Sequence, residues 1–372
     1  MYNNSYLETT GKTVREEKHS LKDKLRAAIV GSTGYGGVEL IRLLANHPQV
    51  DITSVISSSN AGEALTAGYP HLQGVLTVDT LDAVDPQLIR EKADLVFAAT
   101  PSGVSGKLVP QLLETGVRVI DLSGDFRLKD RTAYETWYKH EAPPQDALDG
   151  AVYGLCEVYG DRVRGAAFVS NPGCYVTTAT LGLVPAVEAG AIDLGTIIID
   201  GKSGVSGAGR GVSLGVHYSE INENLKAYKV NKHQHIPEIE MVLSDRAGAP
   251  VTTTFTTHLV PMTRGILCTT YASIADDRYM SEDAWIDLYR GYYEGRKFVR
   301  IRGKGQWPAT KEVWGSNYCD IGFAVDARTR RVTIISVTDN LMKGAAGQAV
   351  QNMNIMMGWD EDLGLRLAPV YP

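Results

Sequence analysis

The sequence predicts an α/β protein in which a doubly wound parallel sheet is followed by an α+β domain with a mixed or antiparallel sheet. Three observations support this prediction. Apolar strand-like runs alternate with helical segments over about 100 residues from Arg26 onward, as in a parallel sheet with crossover helices. In the second half of the chain, strand-like runs follow one another without room for such crossovers. The length of 372 residues suits two domains.

The first domain is predicted to begin with a strand at 27–31, because AAIVG is a continuous apolar run of the kind that is buried on both faces. The glycine-rich stretch GSTGYGG follows, and VELIRLLANH then carries apolar residues at helical spacing. The same patterns predict strands at 50–57, 94–99 and 117–122, with a helix near 104–114.

The second domain is predicted to open with a helix at 175–188 and a strand at 196–200, followed by a glycine-rich loop, KSGVSGAGRG. Four strand-like runs come next: VTTTFTTHLVPM, GILCTTYASI, CDIGFAVDA and RVTIISVT. A helical stripe at 341–357 is expected to pack back onto the first domain. These patterns divide the chain into a polar N-terminal extension at 1–25, a first domain at 26–173, a second domain at 174–337 and a C-terminal segment at 338–372.

Composition and charge exclude several classes of protein. Lys and Arg number 37 against 43 Asp and Glu, and a chain with a formal charge of −6 lacks the basic face that nucleic-acid binding needs. No apolar run approaches the roughly 18 residues of a transmembrane helix, and the polar N-terminus has no signal-peptide core. The four cysteines form no CxxC pair, which favours a reducing compartment. We therefore expect a cytoplasmic protein without membrane or nucleic-acid partners.

The glycines of GSTGYGG form the pattern Gly31-x-x-Gly34-x-x-Gly37 between a strand and a helix. In a Rossmann-type domain such a loop brings the backbone close to a pyrophosphate, which the helix N-terminus binds. A tight turn without a ligand remains the alternative. The second strand ends in Ser57-Ser58-Ser59-Asn60 and lacks the acid that usually binds the ribose of NAD. Hydroxyl groups there tolerate a 2′-phosphate, so the sequence favours NADP.

Cys174 is the candidate nucleophile, since it follows the segment NPG at the start of a predicted helix. The helix dipole stabilises a thiolate, so we expect this position to lower the pKa of the thiol. Cys156, Cys268 and Cys319 are expected to be buried core residues.

A thiol nucleophile needs a proton partner, and KHQHIPEIE offers two. His233 and His235 precede Pro237, which suits the first turn of a helix. Their spacing is equally consistent with an ordinary solvated pair, and zinc binding is disfavoured because no further ligands stand at suitable spacing. We favour His233 as the acid–base because it lies farther from Pro237, in the preceding loop. Arg127, in DLSGDFRL, could clamp a phosphate or carboxylate, or be an ordinary surface arginine.

Together these segments resemble the N-acetyl-gamma-glutamyl-phosphate reductases of arginine biosynthesis, a family of the semialdehyde dehydrogenase superfamily. The resemblance runs from about Arg26 to the C-terminus and rests on eight motifs in order: GSTGYGGVEL, ATPSG, DLSGDFRL, SNPGCY, GKSGVSGAGR, HQHIPEIE, HLVPMTRGI and DNLMKGAAGQA. The chain departs from the family pattern at Gln234 and Ser59, where the family often has Arg. The extension before Arg26 lies outside the resemblance.

The resemblance implies NADPH-dependent reduction of N-acetyl-γ-glutamyl phosphate to the semialdehyde, with phosphate released and a thioester on Cys174 as intermediate. The segment His233–His235 would supply the acid–base. The first domain would bind NADP, and the second would carry catalysis and dimerisation in a homodimer or homotetramer, without a metal ion. Substrate would lie near Arg127, Asn171 and Arg210. NADP would be lined by Gly31, Thr33, Gly34, Tyr35, Gly36, Ser57, Ser58, Thr100, Pro101, Ser203, Gly204 and Asn340.

Three other functions stay open at this point. Aspartate-semialdehyde dehydrogenases perform the same chemistry on a shorter substrate, although their catalytic histidine lies in a different motif. A lysine-pathway reductase of the same superfamily would act on an acyl phosphate borne by a carrier protein. A nucleotide-sensing Rossmann protein would need only the glycine loop, which leaves Cys174, Arg127 and the paired histidines without a role.

Overall fold

A computed structural model of the chain describes residues 24–372. Of the predicted polar extension at 1–25, residues 1–23 lie outside this part. The first sheet is built from six strands: β1 (Leu25–Val30), β2 (Val50–Ile56), β3 (Leu95–Ala98), β4 (Arg118–Asp121), β5 (Val152–Tyr153) and β6 (Phe168–Ser170). All six are parallel, in the order β2-β1-β3-β4-β6-β5. The helices of this region are α1 (Tyr35–Leu44), α2 (Leu65–Gly68), α3 (Pro86–Lys92), α4 (Ser105–Glu114), α5 (Arg131–Tyr138), α6 (Gln145–Gly150) and α7 (Cys156–Val163).

The order of the strands reverses at β1, which has β2 on one side and β3 on the other. At such a point the loops after the two inner strands diverge to opposite faces of the sheet and open a crevice, where α/β sheets bind ligands. The loop after β1 is GSTGYGG, and the loop after β3 is ATPSG. The fold therefore brings these two segments to the expected edge of the sheet.

The second sheet is mixed. Its strands are β7 (Ile198–Gly204), β8 (Lys226–Tyr228), β9 (Thr254–Val260), β10 (Ile266–Ser273), β11 (Val299–Ile301), β12 (Cys319–Asp326) and β13 (Arg331–Thr338), in the order β11-β12-β13-β10-β7-β9-β8. The pairs β7–β9 and β11–β12 are parallel and the other four are antiparallel. The remaining helices are α8 (Cys174–Glu188), α9 (Tyr218–Ile221), α10 (Ile236–Ala247), α11 (Glu282–Tyr292) and α12 (Gly347–Met356). The predicted fold class is confirmed.

Helix α8 is the central helix of the second region. Its residues from Tyr175 to Val187 are all buried, and it packs against β10, β13 and α10. A helix that is apolar on every side is stable only when other elements surround it. The position of its first residue, Cys174, is therefore fixed by the core rather than by a surface loop.

The C-terminal segment packs on the first sheet region. After β13 the chain forms a π-helical turn, Met342–Ala346, and continues into α12, every residue of which is buried. Met342, Val350 and Met353 share one apolar core with Leu40 and Ile41 of α1. Such π-helical turns are frequent at functional sites.

The longer predicted elements agree with the structure, but the predicted loop at KSGVSGAGRG begins too early. β7 continues to Gly204 because its end pairs with β9 on one side and with β10 on the other. The strands β5, β6, β8 and β11 were not predicted, since two or three residues are too few to show a period. Within residues 24–372, no helix combines the length and the apolar character that a membrane span requires.

Candidate active site

The glycine loop joins β1 to α1 in a geometry that requires two of its glycines. Gly31 has a φ of +82°, and a Cβ there would lie 2.3 Å from the carbonyl oxygen of Ala99. A Cβ on Gly37 would lie 2.4 Å from the carbonyl oxygen of Gly31, so this glycine lets α1 pack closely on the loop. Both requirements are steric and hold with or without a ligand.

The start of α1 is open to a ligand. Gly34 precedes the helix; among residues 24–372, no side chain caps its N–H groups and a Cβ on Gly36 would have no atom within 4 Å. Tyr35, the first residue of the helix, is 37% exposed. Unpartnered N–H groups and the positive end of the helix dipole suit an anion. The loop therefore fits the pyrophosphate of a dinucleotide.

Arg210, expected beside the substrate, lies against the glycine loop. Its guanidinium stands 4.3 Å from the centre of the Tyr69 ring, and Nη1 donates a 3.3 Å hydrogen bond to the carbonyl oxygen of Thr33. The Tyr69 hydroxyl donates to the same carbonyl at 2.9 Å. Within residues 24–372, none of the hydrogen bonds of Arg210 reaches Arg127 or Cys174. The structure therefore places Arg210 on the nucleotide side.

The serine loop after β2 carries one buried and two exposed hydroxyl groups. Ser57 is buried and accepts a 3.3 Å hydrogen bond from the backbone of Asn60, whereas Ser58 and Ser59 are exposed. One acid that the serine pattern does not include lies nearby: Glu63 accepts a 3.1 Å hydrogen bond from the Asn60 side chain. Exposed hydroxyls are available to a ribose or its phosphate, but Glu63 adds a negative charge at the end of the loop.

The loop after β3 is anchored by hydrogen bonds that lead into the sheet. The Oγ1 atom of Thr100 lies 2.7 Å from Oγ of Ser105, which donates to the fully buried Asp121 at 2.6 Å. Burial raises the pKa of Asp121 to about 6, although hydrogen bonds from Ser105 and Ser123 oppose the rise. Pro101 follows Thr100 and is exposed. The loop is thereby held in place beside the crevice.

Ser203, Gly204 and Asn340 lie together at the end of β7. A Cβ on Gly207 would lie 3.2 Å from Oγ of Ser203 and 3.7 Å from Nδ2 of Asn340. The side-chain oxygen of Asn340 accepts a 2.7 Å hydrogen bond from the backbone of Gly265. The structure thus brings together the three residues that the resemblance assigned to NADP in this region.

Cys174 begins α8 beside the C-terminal segment. Gly344 of the π-helical turn packs directly on it, since a Cβ at that glycine would lie 2.8 Å from the Cβ of Cys174. Burial raises the pKa of the Cys174 thiol to about 11, although the charge of Arg127 and the backbone N–H of Tyr175 oppose the rise. The predicted lowering of this pKa is therefore wrong, because desolvation outweighs the helix dipole.

The other three cysteines are fully buried, as predicted. Cys174 is the cysteine with an accessible fraction, and all four are unpaired. Exposure therefore separates the candidate nucleophile from the three core thiols.

Of the two candidate histidines, His235 lies beside the residue that precedes Cys174. Its Nε2 atom lies against the residue before the cysteine: a Cβ on Gly173 would be 2.5 Å from it. In the described part of the chain its Nδ1 atom is buried and has no hydrogen-bond partner. Burial, together with the charges of His233 and Arg127, holds the pKa of His235 well below its usual value, so the ring is neutral at pH 7.

His233 packs inside an aromatic cluster. Its ring makes edge contacts with Tyr175, Tyr228 and Phe255. Its Nδ1 atom accepts a 3.1 Å hydrogen bond from the backbone of His235, and burial lowers the pKa of His233 to about 3. This histidine therefore holds the backbone from which His235 projects.

Arg127 and Glu238 form a buried ion pair. Nη1 of Arg127 is 3.5 Å from Oε2 of Glu238, and the two side chains are 8% and 0% exposed. Arg127 also donates hydrogen bonds of 2.8 Å to the carbonyl oxygens of Leu122 and Asn171. Burial alone would lower the pKa of Arg127, but the charge of Glu238 together with smaller contributions from other acidic groups nearby outweighs it, and the pKa is raised. Arg127 is thus a fixed, buried cation and not an ordinary surface arginine.

Glu238 is a site residue that the sequence analysis missed. Its Oε1 atom accepts hydrogen bonds from the backbone N–H of Gly173 at 2.9 Å and from the hydroxyl of Tyr153 at 2.7 Å. The sequence places Glu238 only in the first turn of α10, where an acid suits the helix dipole. Its partners lie more than 60 residues away, so no local pattern reports them.

The side chain of Asn171, expected beside the substrate, is engaged within the protein. Its Nδ2 atom donates to the carbonyl oxygen of Ala345 at 3.2 Å, and its Oδ1 atom accepts from Asn352 at 3.0 Å.

The structure brings Cys174 and His235 together with the Arg127–Glu238 pair around Gly173. Within residues 24–372, no group of three or more His, Cys, Asp or Glu side chains could hold a metal ion.

In comparisons with known proteins, a family model matches each of the two sheet regions. Residues 26–166 match the family described as semialdehyde dehydrogenase, NAD binding domain, and residues 174–340 match semialdehyde dehydrogenase, dimerisation domain. The N-acetyl-gamma-glutamyl-phosphate reductase of Geobacillus stearothermophilus is 56% identical over 350 residues, which cover 94% of this chain and 100% of the relative. That of Bacillus subtilis is 49% identical over 348 residues with the same coverage. The chain belongs to the N-acetyl-gamma-glutamyl-phosphate reductase family.

Membership in the N-acetyl-gamma-glutamyl-phosphate reductase family confirms the resemblance found in the motifs and makes the chain a semialdehyde dehydrogenase-type oxidoreductase. Two aspartate semialdehyde dehydrogenases have similar structures. Enzyme II from Vibrio cholerae has a TM-score of 0.66, and the Candida albicans enzyme, solved with NADP, has 0.65. Each is 17% identical and covers 89% of this chain and 98% of its own. At this identity the likeness shows the fold alone.

Proposed function

We propose that this chain reduces N-acetyl-γ-glutamyl phosphate with NADPH, giving N-acetylglutamate 5-semialdehyde and phosphate, as a step of arginine biosynthesis. The observation that carries the proposal is the cluster around Gly173: a thiol, a neutral imidazole and a buried arginine–carboxylate pair. The names of the closely similar relatives support the choice of substrate.

In the first half-reaction, Sγ of Cys174 attacks the carbonyl carbon of the acyl phosphate. The C–S bond forms, the C–O bond to phosphate breaks, and its electron pair leaves with the phosphate. The thiol proton passes to the neutral ring of His235. A base is needed at neutral pH because burial raises the pKa of the thiol to about 11. The positive charge of Arg127 stabilises the departing phosphate.

In the second half-reaction, NADPH supplies a hydride to the carbonyl carbon of the thioester when it is bound. A thioester accepts hydride more readily than an acyl phosphate does, which is why the thiol divides the reaction in two. The backbone N–H of Tyr175, beside the sulfur, stabilises the oxyanion. The thiohemiacetal then releases the aldehyde as the C–S bond breaks, and the proton on His235 returns to sulfur.

The acid–base role goes to His235 in this proposal, and not to His233, which the sequence favours. The Nε2 atom of His235 lies against Gly173, whereas the ring of His233 is enclosed by aromatic side chains. His233 acts as a positioning residue through its hydrogen bond to the backbone of His235.

We propose that residues 31–37 bind the pyrophosphate of the cofactor and that Ser58 and Ser59 meet the 2′-phosphate of NADP. The open start of α1 supports the first assignment and the exposure of the two serines supports the second. Arg210, over the glycine loop, joins the cofactor contacts in this proposal. Glu63 opposes the 2′-phosphate, so the preference for NADP over NAD is modest.

We further propose a cytoplasmic homodimer, alone or within a homotetramer, that forms through the open face of the second sheet. Ile198 and Tyr271 pair directly across β7 and β10 and are 39% and 36% exposed. The match of residues 174–340 to the dimerisation domain of the family supports dimerisation through this region. Unpaired cysteines support a reducing compartment. In this scheme 26–173 and 338–372 serve the nucleotide, and 174–337 serve catalysis and dimerisation.

The test is an assay in the reverse direction, following reduction of NADP⁺ in the presence of phosphate. N-Acetylglutamate 5-semialdehyde should support turnover, and aspartate semialdehyde should not. Turnover with aspartate semialdehyde alone would identify the shorter-substrate enzyme. Turnover only with a carrier-bound semialdehyde would identify the lysine-pathway reaction, and no turnover with any aldehyde would favour a nucleotide sensor.

A further inference from the structure

Arg264 lies in the turn between β9 and β10, and the proposed chemistry gives it no role. Its guanidinium forms two bonds with one carboxylate: Nη2 lies 2.6 Å from Oε2 of Glu39, and Nη1 lies 3.0 Å from Oε1. A two-point bond fixes orientation as well as distance. The side chain of Glu39 is only 3% exposed, so water does not readily replace its partner.

Glu39 belongs to α1, whose start faces the proposed pyrophosphate site. Arg42, almost one turn further along the helix, also binds Glu39 at 2.7 Å. Burial alone would raise the pKa of Glu39, but the two arginines outweigh it, so the pKa is lowered and the carboxylate is charged at pH 7. Arg264 thus attaches the nucleotide-side helix to the second sheet region.

The same guanidinium faces the segment that covers Cys174. Nη1 is 3.5 Å from Oδ2 of Asp339, and Oδ1 of Asp339 accepts hydrogen bonds from the backbones of Leu341 and Met342 at 2.8 and 3.2 Å. These bonds begin the π-helical turn whose Gly344 packs on Cys174. Arg264 therefore adds a polar, directional link between the helix of the glycine loop and the turn over the thiol, beside the direct contacts of α1 with Met342.

We propose that Arg264 is a positioning residue that couples α1 to the turn over Cys174, so that a nucleotide bound at the glycine loop changes the reactivity of this thiol. The inference rests on the proposed roles of Cys174 and the glycine loop. When a bound nucleotide shifts α1, the two directional bonds to Glu39 move Arg264 with the helix. Because Arg264 also faces Asp339, the carboxylate at the start of the turn is displaced as well. If the cluster were only a stabilising clamp, its removal would lower stability and leave the response of the thiol to nucleotide unchanged.

The test measures the rate of alkylation of Cys174 by iodoacetamide in the full-length protein, with and without saturating 2′-phospho-ADP-ribose. This fragment of NADP lacks the nicotinamide ring, so it fills the glycine loop without shielding the thiol. We expect the fragment to change the wild-type rate at least about fivefold. In Arg264→Met and in Glu39→Gln the change should fall below about twofold, and the double variant should add little, because the two residues act as one unit.

Arg246→Met is the matched control, because Arg246, 30% exposed against 22% for Arg264, forms an ion pair with Glu188 at the opposite end of α8 from Cys174. It should keep the full response. Thermal unfolding verifies the fold of each variant, and titration of the fragment ensures saturation. An unchanged response in Arg264→Met and Glu39→Gln, an equal loss in Arg246→Met, or no response in the wild type would overturn the coupling.

Peptide mapping separates this inference from the proposed function. If the fast label lies on another cysteine, the proposed nucleophile is wrong and the coupling falls with it. If the label lies on Cys174 and the response persists in Arg264→Met, the coupling alone is wrong.

Discussion

The Oε1 atom of Glu238 lies 2.9 Å from the backbone nitrogen of Gly173, the residue directly before Cys174. This bond holds a negative charge close to the thiol, while the other carboxylate oxygen faces Arg127 at 3.5 Å. Burial is the largest influence on the pKa of Cys174 and raises it; Arg127 lowers the pKa and Glu238 raises it further. Glu238, in the first turn of α10, therefore helps to set the charge around Cys174, the first residue of α8.

Glu238→Gln should lower the pKa of Cys174, because it removes a negative charge that disfavours the thiolate. The pH profile of iodoacetamide alkylation should shift to lower pH. The same change leaves Arg127 buried without its counter-charge, so unfolding in urea should show a loss of about 3–5 kcal/mol. Glu240→Gln, on the same helix but partly exposed, is the control and should leave the alkylation profile in place. A profile unaltered in Glu238→Gln would contradict the assigned electrostatics.

Alkylation of the ligand-free protein should be slow at pH 7 and should rise about tenfold for each pH unit up to pH 10, because the thiolate is the reactive form and the pKa of Cys174 is about 11. Mass spectrometry should find the label on Cys174 before Cys156, Cys268 and Cys319, which are fully buried. Cys268→Ser should react like the wild type. Equal labelling of all four cysteines would refute the assignment, and a plateau below pH 8 would refute the raised pKa.

His235→Asn should lower kcat by about 10²–10⁴, since the variant loses the base that takes the thiol proton. His233→Asn should have the smaller effect, because that ring supports the backbone of His235 through a hydrogen bond at Nδ1 that an amide oxygen can also accept. Steady-state kinetics of the two variants decide between them. A larger loss in His233→Asn would assign the acid–base to the histidine that the sequence favours.

The wild type should prefer NADP to NAD by about 10–30-fold in kcat/KM, because the charge of Glu63 partly offsets the hydrogen bonds that the serines give to the 2′-phosphate. Ser58→Asp should shift the preference towards NAD, because a carboxylate repels the phosphate and accepts hydrogen bonds from the ribose. Ser58→Asn, similar in size but uncharged, should shift it less. Equal use of both cofactors by the wild type, or an unaltered ratio in Ser58→Asp, would show that this loop does not discriminate.

Tyr271→Asp should dissociate the proposed dimer, because it adds a charge to the exposed face on the middle strand of the sheet. Light scattering after size-exclusion chromatography measures the mass. Tyr218→Asp introduces the same charge at a tyrosine that is 74% exposed but lies outside this sheet, so its mass should match the wild type. An intact oligomer in Tyr271→Asp would place the interface elsewhere.

The fold could be predicted where each element carries its own pattern. The buried run before Gly31 and the helical stripe after it are local signals, and both elements lie where they were expected. The end of β7 could not be predicted, because Ser203 and Gly204 are in a strand only through pairing with β9 and β10. Glycines and serines favour loops in isolation, and the partner strands decide otherwise.

The site could be predicted only in part, for a related reason. Residue type and position at a helix start single out Cys174, and the structure agrees that it is the accessible thiol. The sign of its pKa shift depends on desolvation by Gly344 and other distant segments, which no local motif encodes. The same holds for Glu238, whose partners come from other elements, and for Arg210, which folds onto the glycine loop.

The central claim is that Cys174 carries the acyl group, and the most direct test is to trap that intermediate. The protein is mixed with N-acetylglutamate 5-semialdehyde and NADP⁺ without phosphate, so that the thioester forms and cannot be cleaved by its natural acceptor. We predict a burst of about one NADPH for each subunit and an N-acetylglutamyl adduct on the peptide that contains Cys174, both absent in Cys174→Ser. A burst without this adduct, an adduct on another residue, or a burst that survives in Cys174→Ser would contradict the account.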